Sequence, residues 1–207
     1  MSIGMTSSQM ALRDPDIRLM LRVRDGDDAA FAELVERFQH RLVAVMHLLL
    51  GSLHEAEDLA QEAFLRVYRT RKKYRPQAKF STWLFTIARN LVIDLSRKRT
   101  MASLEEMSGN GEDDRPFEIA VSGPSPLEQF QSRENCAEIG EVLLKLDPSY
   151  REVLGLRFYE ELSLEEIAGV TRAPLSTVKS RLYRGLAALK PEMEQLRAPR
   201  TLLEVAP

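Results

Sequence analysis

The chain has 207 residues, of which 44% are hydrophobic and 29% are charged, a composition typical of soluble globular proteins with room for one domain or two small ones. The longest apolar run, residues 42–50, is interrupted by His47 and is about half of the ~20 residues that a membrane-spanning helix requires. No basic-then-apolar leader opens the chain, and Cys136, the single cysteine, excludes an intrachain disulfide. We therefore expect a soluble, cytoplasmic protein without membrane insertion.

The net charge of −2 conceals two blocks of opposite sign. Residues 63–100 contain eleven basic residues and one acid, whereas residues 105–141 contain ten acids and two arginines. A basic block of this density is the electrostatic pattern of a nucleic-acid-binding surface, and the separation of charge says more about partners than the total does.

Apolar residues in the first hundred positions recur with the period of a helix, and no stretch shows the sustained alternation of a half-buried strand. Four helices are predicted from this period: 16–23, 31–49, 59–67 and 83–95. Gly51 is expected to end the second of these helices, and Ser81 is expected to cap the fourth. Short connections favour a compact bundle, so we assign residues 10–100 to an N-terminal helical domain.

Residues 101–132 differ from their surroundings in having many acids, glycines, serines and prolines and no clear period. A structureless run of this length is unusual inside a compact domain, which predicts an inter-domain linker. Helical patterning resumes near Ile139, and Asp147 with Pro148 supplies a cap and a favourable first helical position. Residues 133–197 are thus a second helical domain, and the predicted fold class is all-α with two small domains.

The stretch 163–189, SLEEIAGVTRAPLSTVKSRLYRGLAAL, predicts a helix, a tight turn and a basic second helix. Ser163 and Glu166 have the spacing of a capping box, Gly169 is expected to end the first helix, and Pro174 is expected to start the second. An apolar stripe on the second helix should face inward: Val178, Leu182, Leu186 and Leu189. Basic and short polar side chains are left facing outward: Lys179, Ser180, Tyr183 and Arg184. This arrangement is typical of a helix-turn-helix that reads the DNA major groove, although an ordinary helical hairpin with a solvated basic face has the same pattern.

Three motifs in fixed order carry a resemblance to a known family. They are AEDLAQEAFLRVYR at 56–69, KFSTWLFTIARNLVIDLSRKR at 79–99, and TVKSRLYRGLAALK at 177–190. The set resembles bacterial RNA polymerase sigma factors of the extracytoplasmic-function (ECF) group. The resemblance implies a promoter-specificity subunit that binds core RNA polymerase, melts and reads the −10 element as single strand, and binds the −35 element as duplex. An anti-sigma factor is a further implied partner.

The resemblance also implies roles for individual residues. Docking on a coiled coil of the polymerase clamp falls to three residues on one helical face: Asp58, Gln61 and Glu62. Such a row of acceptors could meet arginines on a partner helix, whereas a solvated acidic face is the plainer interpretation. Contact with −35 DNA falls to five residues: Lys179, Ser180, Arg181, Tyr183 and Arg184. Of these, Arg181 lies on the flank of the helix and is expected to meet phosphate.

Contact with the −10 element is expected from a basic loop and the outward face of the helix that follows it. The residues concerned are Tyr74, Arg75, Lys79, Phe80, Thr82, Thr86, Arg89, Asn90 and Arg97. Tyr74 and Phe80 are the candidates for stacking on unpaired bases, although Phe80 could equally staple the loop to the helix. Trp83 falls on the apolar stripe and is expected to pack in the core.

Other functions and sites are less well supported by the sequence. His40, His47 and His54 recur every seven residues, but that spacing places helical side chains ~10 Å apart and does not favour a shared metal ion. No phosphate loop, nucleophile elbow or zinc spacing is present, so we expect no cofactor, no metal and no enzyme activity. Two alternatives remain: a helix-turn-helix regulator that acts on operators without polymerase, and an adaptor that binds polymerase but not DNA.

Overall fold

The computed structural model describes residues 14–107 and 140–197, and every regular element in these two ranges is helical. The N-terminal domain contains α1 (Pro15–Arg24), α2 (Asp28–Leu50), α3 (Leu53–Thr70), a 3-10 turn (Arg71–Lys73) and α4 (Phe80–Met107). The C-terminal domain contains helical residues 140–144, α5 (Pro148–Phe158), α6 (Leu164–Thr171) and α7 (Leu175–Arg197). The expected all-α fold with two helical domains is confirmed. Within the two ranges, the helices all fall short of the length and apolar character that crossing a membrane would require.

The first three helices begin at side chains that accept hydrogen bonds from otherwise free backbone N–H groups. Asp14, Asp27 and Ser52 each accept from an N–H in the first turn of α1, α2 and α3, respectively. The predicted end of α2 at Gly51 is confirmed. Gly51 has a φ of 75° and its N–H donates to the carbonyl of His47 at 2.8 Å, a termination that glycine adopts without steric strain.

Helix α4 starts earlier and ends later than the sequence predicted. The helix begins at Phe80, and the N–H of Trp83 in its first turn donates to the carbonyl of Lys79 just before it, so Ser81 lies inside the helix and is not its cap. The helix then continues through Met107, and the first seven residues of the predicted linker are helical. Alanine, leucine, glutamate and methionine are strong helix formers, so this segment needs no buried stripe to extend the helix. The rest of the predicted linker lies outside the described residues, and so does Cys136 at the start of the predicted second domain.

The C-terminal domain packs directly on the N-terminal domain. Helix α5 lies against α2, and α6 lies against α4. Buried side chains of both domains belong to one continuous apolar cluster, which includes Leu42, Met46 and Phe85 on one side and Leu154 and Ile167 on the other. The two helical domains are therefore closed on each other, and their contact runs along the face of α4 that carries part of the predicted DNA-binding set.

Candidate nucleic-acid interface

The helix-turn-helix begins with the predicted capping box. The N–H of Glu166 donates to Ser163 Oγ at 3.2 Å, and the N–H of Ser163 donates to Glu166 Oε2 at 2.8 Å. The predicted helix end at Gly169 is wrong, because α6 continues to Thr171 and terminates at Arg172 with a φ of 52°. The extra residues bury Val170 and Thr171, and this burial outweighs the ~1 kcal/mol that a mid-helix glycine costs.

The inward face of α7 includes Gly185 and not the neighbouring Leu186 that the apolar stripe predicted. Val178 and Leu182 are buried as expected, but Leu186 is 37% exposed and Gly185 faces the core instead. A β-carbon on Gly185 would lie 3.1 Å from Leu154 Cδ1 and 3.2 Å from Tyr150 Cβ. Glycine at this position thus permits close approach of α7 to α5, which the sequence alone did not reveal.

The outward face of α7 is free in the closed chain. Its four predicted contact residues are all exposed: Lys179, Ser180, Tyr183 and Arg184. Arg181 is half-buried on the flank. Hydrogen bonds from Ser149 lower the pKa of Asp147, and the positive charge of Arg181 contributes to the same shift. The geometry is that of a helix able to enter a groove, and contact with DNA stays a prediction.

The two aromatic rings expected to stack on bases are buried. Phe80 is 0% exposed and its ring lies edge-on to Phe38 with centroids 5.2 Å apart, while Tyr74 is 2% exposed and its centroid lies 4.9 Å from that of Trp83. Burial also raises the pKa of the Tyr74 phenol. A stacking platform must expose a ring face, and in this structure both rings pack in the core, as the staple interpretation of Phe80 expects; their contact with bases stays a prediction. Trp83, half-buried beside them, packs as expected.

The other residues assigned to −10 contact fall into three groups. Arg75 and Arg97 are exposed. Three polar residues of α4 are buried or half-buried: Thr82, Thr86 and Asn90. Thr86 Oγ1 donates to the carbonyl of Thr82 at 2.7 Å. The remaining two, Lys79 and Arg89, are held by carboxylates of the other domain. The closed chain thus leaves only part of the predicted −10 surface free.

Among the described residues, three ion pairs join the two domains. Arg89 Nε lies 2.5 Å from Glu152 Oε1, and Lys79 Nζ lies 3.1 Å from Glu166 Oε1. In the third pair, Arg41 Nε donates to Glu160 Oε1 at 3.2 Å, and another nitrogen of the same guanidinium lies 3.0 Å from Oε2.

The sequence did not predict these pairs, and of the three acids only Glu166 had been singled out, as part of the capping box. One signal was available, because Glu152 is a charged residue at the start of an otherwise apolar run, where burial requires a partner. Burial raises the pKa of Glu160 to about 7 against the opposing effect of Arg41.

The acceptor row on α3 points to solvent. Asp58 and Gln61 are exposed, and the half-buried Glu62 forms an ion pair with Arg66 at 3.2 Å. Leu65, which the sequence analysis missed, is 47% exposed and follows the row by one helical turn. The surface therefore combines acceptors with one apolar side chain, as protein interfaces commonly do.

No cluster of three or more histidine, cysteine, aspartate or glutamate side chains that could hold a metal ion occurs within residues 14–107 and 140–197. His40 and His54 are exposed, and His54 lies 3.8 Å from Asp58.

Two family models match this chain on the parts just described. The model of Sigma-70 region 2 covers residues 34–101, which include the acceptor row and the predicted −10 face. The model of Sigma-70, region 4 covers residues 136–189, which include the helix-turn-helix. The two matched regions are those of a sigma-70-type transcription factor.

Curated relatives narrow this class. The chain is 37% identical over 177 residues to the ECF RNA polymerase sigma factor SigW of Bacillus subtilis, covering 84% of this chain and 95% of that protein. It is 32% identical over 196 residues to the RNA polymerase sigma-H factor of Pseudomonas aeruginosa, covering 90% and 98%. The chain belongs to the extracytoplasmic-function group of RNA polymerase sigma factors.

Solved structures share the fold. The structure of CnrH in complex with the cytosolic domain of CnrY matches with a TM-score of 0.62 at 23% identity, covering 88% of this chain and 99% of that one. The sigma factor RpoE in complex with the anti-sigma factor NepR, from Bartonella quintana, matches with a TM-score of 0.63 at 22% identity, covering 79% and 96%.

Proposed function

We propose that this chain binds core RNA polymerase and directs initiation at one promoter class, with a separate surface of the chain for each task. The observation that carries the proposal is the pairing of two exposed surfaces with the two matched regions: an acceptor row in region 2 and a basic recognition helix in region 4. An operator-binding regulator would use only the second surface and would leave the first without a function.

The polymerase-docking surface consists of Asp58, Gln61, Glu62 and Leu65. Carboxylates at a protein interface form charge-assisted bonds with arginines, which are shorter and stronger than bonds between neutral groups. Leu65 adds apolar area that is lost to water on docking. Its exposure has no role in the fold of the described residues, which supports an external partner for this face.

The −35 element is read by α7 as duplex. Lys179 and Ser180 lie in the first half of the helix, the part that approaches base edges in helix-turn-helix proteins. Tyr183 and Arg184 extend the same face, and Arg181 on its flank binds phosphate. Phosphate contacts set the position of the helix, and the base contacts supply the sequence preference.

The −10 element is held as single strand by α4 and the loop before it. Arg75, Lys79, Arg89 and Arg97 supply cations for the backbone, and Asn90 supplies a donor and an acceptor for a base edge or phosphate. With Tyr74 and Phe80 buried, capture depends on these charges and on polar contacts instead of stacking on those two rings.

The chain acts in the cytoplasm as a non-catalytic subunit, since polymerase performs the chemistry of transcription. We also propose an anti-sigma factor as a partner. Support comes from the structural neighbours, one of which is a sigma factor in complex with an anti-sigma factor.

Binding to core polymerase tests the docking assignment. Asp58→Ala combined with Glu62→Ala should weaken core binding about 10- to 100-fold, the loss expected for one or two charge-assisted bonds. Glu36→Ala, which removes an exposed acid on α2, is the matched control and should bind normally. Failure of the unaltered chain to bind core would refute the proposed function. Normal binding by the double variant, with an unchanged circular dichroism spectrum, would refute the docking surface.

A further inference from the structure

Three acidic side chains of the C-terminal domain face three cations of the N-terminal domain in the described residues. Glu152 lies on α5, Glu160 lies in the loop between α5 and α6, and Glu166 lies in the first turn of α6. Their partners are Arg89, Arg41 and Lys79. The pairs span three different elements of the C-terminal domain, so together they fix its orientation on the bundle.

Two of these cations belong to the predicted −10 surface. Lys79 stands immediately before α4, and Arg89 lies near the middle of that helix. Each faces a carboxylate at a distance at which a nucleic-acid phosphate oxygen would bind, and a cation engaged in this way is not free to bind DNA. Glu152 and Glu166 thus occupy positions that phosphates of the single strand would require.

Close apolar packing surrounds the Arg89–Glu152 pair, whereas Lys79 lies at the edge of the contact with about half of its side chain exposed. The backbone of Gly155 on α5 approaches α2 so closely that a β-carbon there would lie 3.2 Å from Leu48 Cδ1. A cavity of about 10 Å³ lies between the domains beside Arg89 and Glu152, with room for at most one water molecule. Beside Arg89 and Glu152 the domains therefore leave no room for a DNA strand.

We propose that the C-terminal domain autoinhibits the free chain by covering the −10 surface, with Glu152 and Glu166 standing in for DNA phosphates. The proposal rests on the proposed function, because it takes the face of α4 to be the single-strand site. The recognition helix is left exposed in the same closed arrangement. Free chain can therefore present its duplex-reading face but captures single-stranded DNA only after the domains separate.

Neutral variants of the two acids test the proposal without altering the DNA-binding residues. Glu152→Gln keeps the volume and one acceptor but removes the charge opposite Arg89. Glu166→Gln removes the charge opposite Lys79 and preserves the capping box, which accepts glutamine in place of glutamate. Glu165→Gln, a neighbouring exposed acid on α6, is the matched control for the change in net charge.

Two measurements on the full-length free chain are made for each variant. Small-angle X-ray scattering reports the radius of gyration, and fluorescence anisotropy reports affinity for a single-stranded oligonucleotide. The double variant should have a larger radius of gyration and bind the oligonucleotide about tenfold more tightly, because the apparent dissociation constant falls as the open fraction rises. Glu165→Gln should match the unaltered chain in both measurements.

An unchanged radius of gyration and unchanged oligonucleotide affinity in the double variant would overturn the proposal. So would an equal gain in affinity from Glu165→Gln, because net charge alone would then explain it. If circular dichroism shows that the double variant is unfolded, the same two measurements are made on Glu166→Gln alone, because its helix cap is intact. An unchanged radius of gyration and an unchanged affinity in that variant would then overturn the proposal. Core-dependent transcription by the unaltered chain tests the proposed function separately, and its outcome does not depend on whether the free chain is closed.

Discussion

Two glycines in the helix-turn-helix should respond oppositely to the same substitution. Gly185 faces the core of the C-terminal domain, and an alanine β-carbon there would lie 3.1 to 3.3 Å from side-chain atoms of Leu154 and Tyr150. Gly169 is exposed within α6, and an alanine β-carbon there would meet no atom within 4 Å. Both positions are helical and belong to one domain, so the pair isolates the effect of packing.

The magnitudes follow from two opposing contributions. Alanine in place of a mid-helix glycine stabilises by about 1 kcal/mol, whereas overpacking a well-filled site costs about 1–3 kcal/mol. Gly169→Ala should therefore raise the free energy of unfolding by about 1 kcal/mol. Gly185→Ala should leave it unchanged or lower it by up to about 2 kcal/mol, because its neighbours must move.

Urea unfolding followed by far-UV circular dichroism measures both variants. The midpoint should rise for Gly169→Ala and stay level or fall for Gly185→Ala, at equal slopes. Equal stabilisation by both substitutions would refute the close approach of α7 to α5 as the reason for glycine at 185.

Three further predictions concern DNA contact, core packing and pH. Lys179→Ala should cost about 1–3 kcal/mol of promoter affinity and relax specificity at one −35 position, whereas loss of a phosphate contact in Arg181→Ala should weaken all sequences evenly; mobility shifts of core-bound chain on altered promoters would show this, and unchanged binding in both would remove the assignment. Phe80→Ala should lower the free energy of unfolding by about 3–5 kcal/mol, whereas a stable variant that has lost −10 affinity would restore its stacking role. Glu160 has a pKa of about 7 when buried and an ordinary value near 4.5 when exposed, so closure takes up a proton. The stabilisation of the closed state by the protonated Glu160 carboxyl is fully present below about pH 4.5 and is lost as pH rises through 7. Small-angle scattering should therefore show a larger radius of gyration at pH 8 than at pH 6 for the unaltered chain but not for Glu160→Gln. An equal increase in that variant would contradict the assignment.

The sequence predicted helix ends correctly where a few neighbouring residues determine them. The capping box at Ser163 and the glycine stop at Gly51 depend on a few neighbouring residues, and both are confirmed. Gly169 and Ser81 failed as boundary signals because each is compatible with a helix interior. At these positions, burial of the adjoining apolar residues decided where the helix begins or ends.

The candidate site was less accessible to the same reasoning. Aromatic residues in a basic loop have the same pattern whether they stack on bases or fill a core, so the sequence could not show that Tyr74 and Phe80 are buried. The inter-domain ion pairs join residues 63 to 119 positions apart in the chain. No periodicity within either domain encodes such a contact, and the closed arrangement emerged only from the three-dimensional packing of α2 and α4 against α5 and α6.

Whether this chain gives core RNA polymerase its promoter specificity is decided by transcription of total genomic DNA by core enzyme, with and without the chain. A small set of discrete new start sites should appear only with the chain and share one −35 and one −10 sequence at constant spacing. Start sites identical to those of core enzyme alone would show that the chain does not direct initiation.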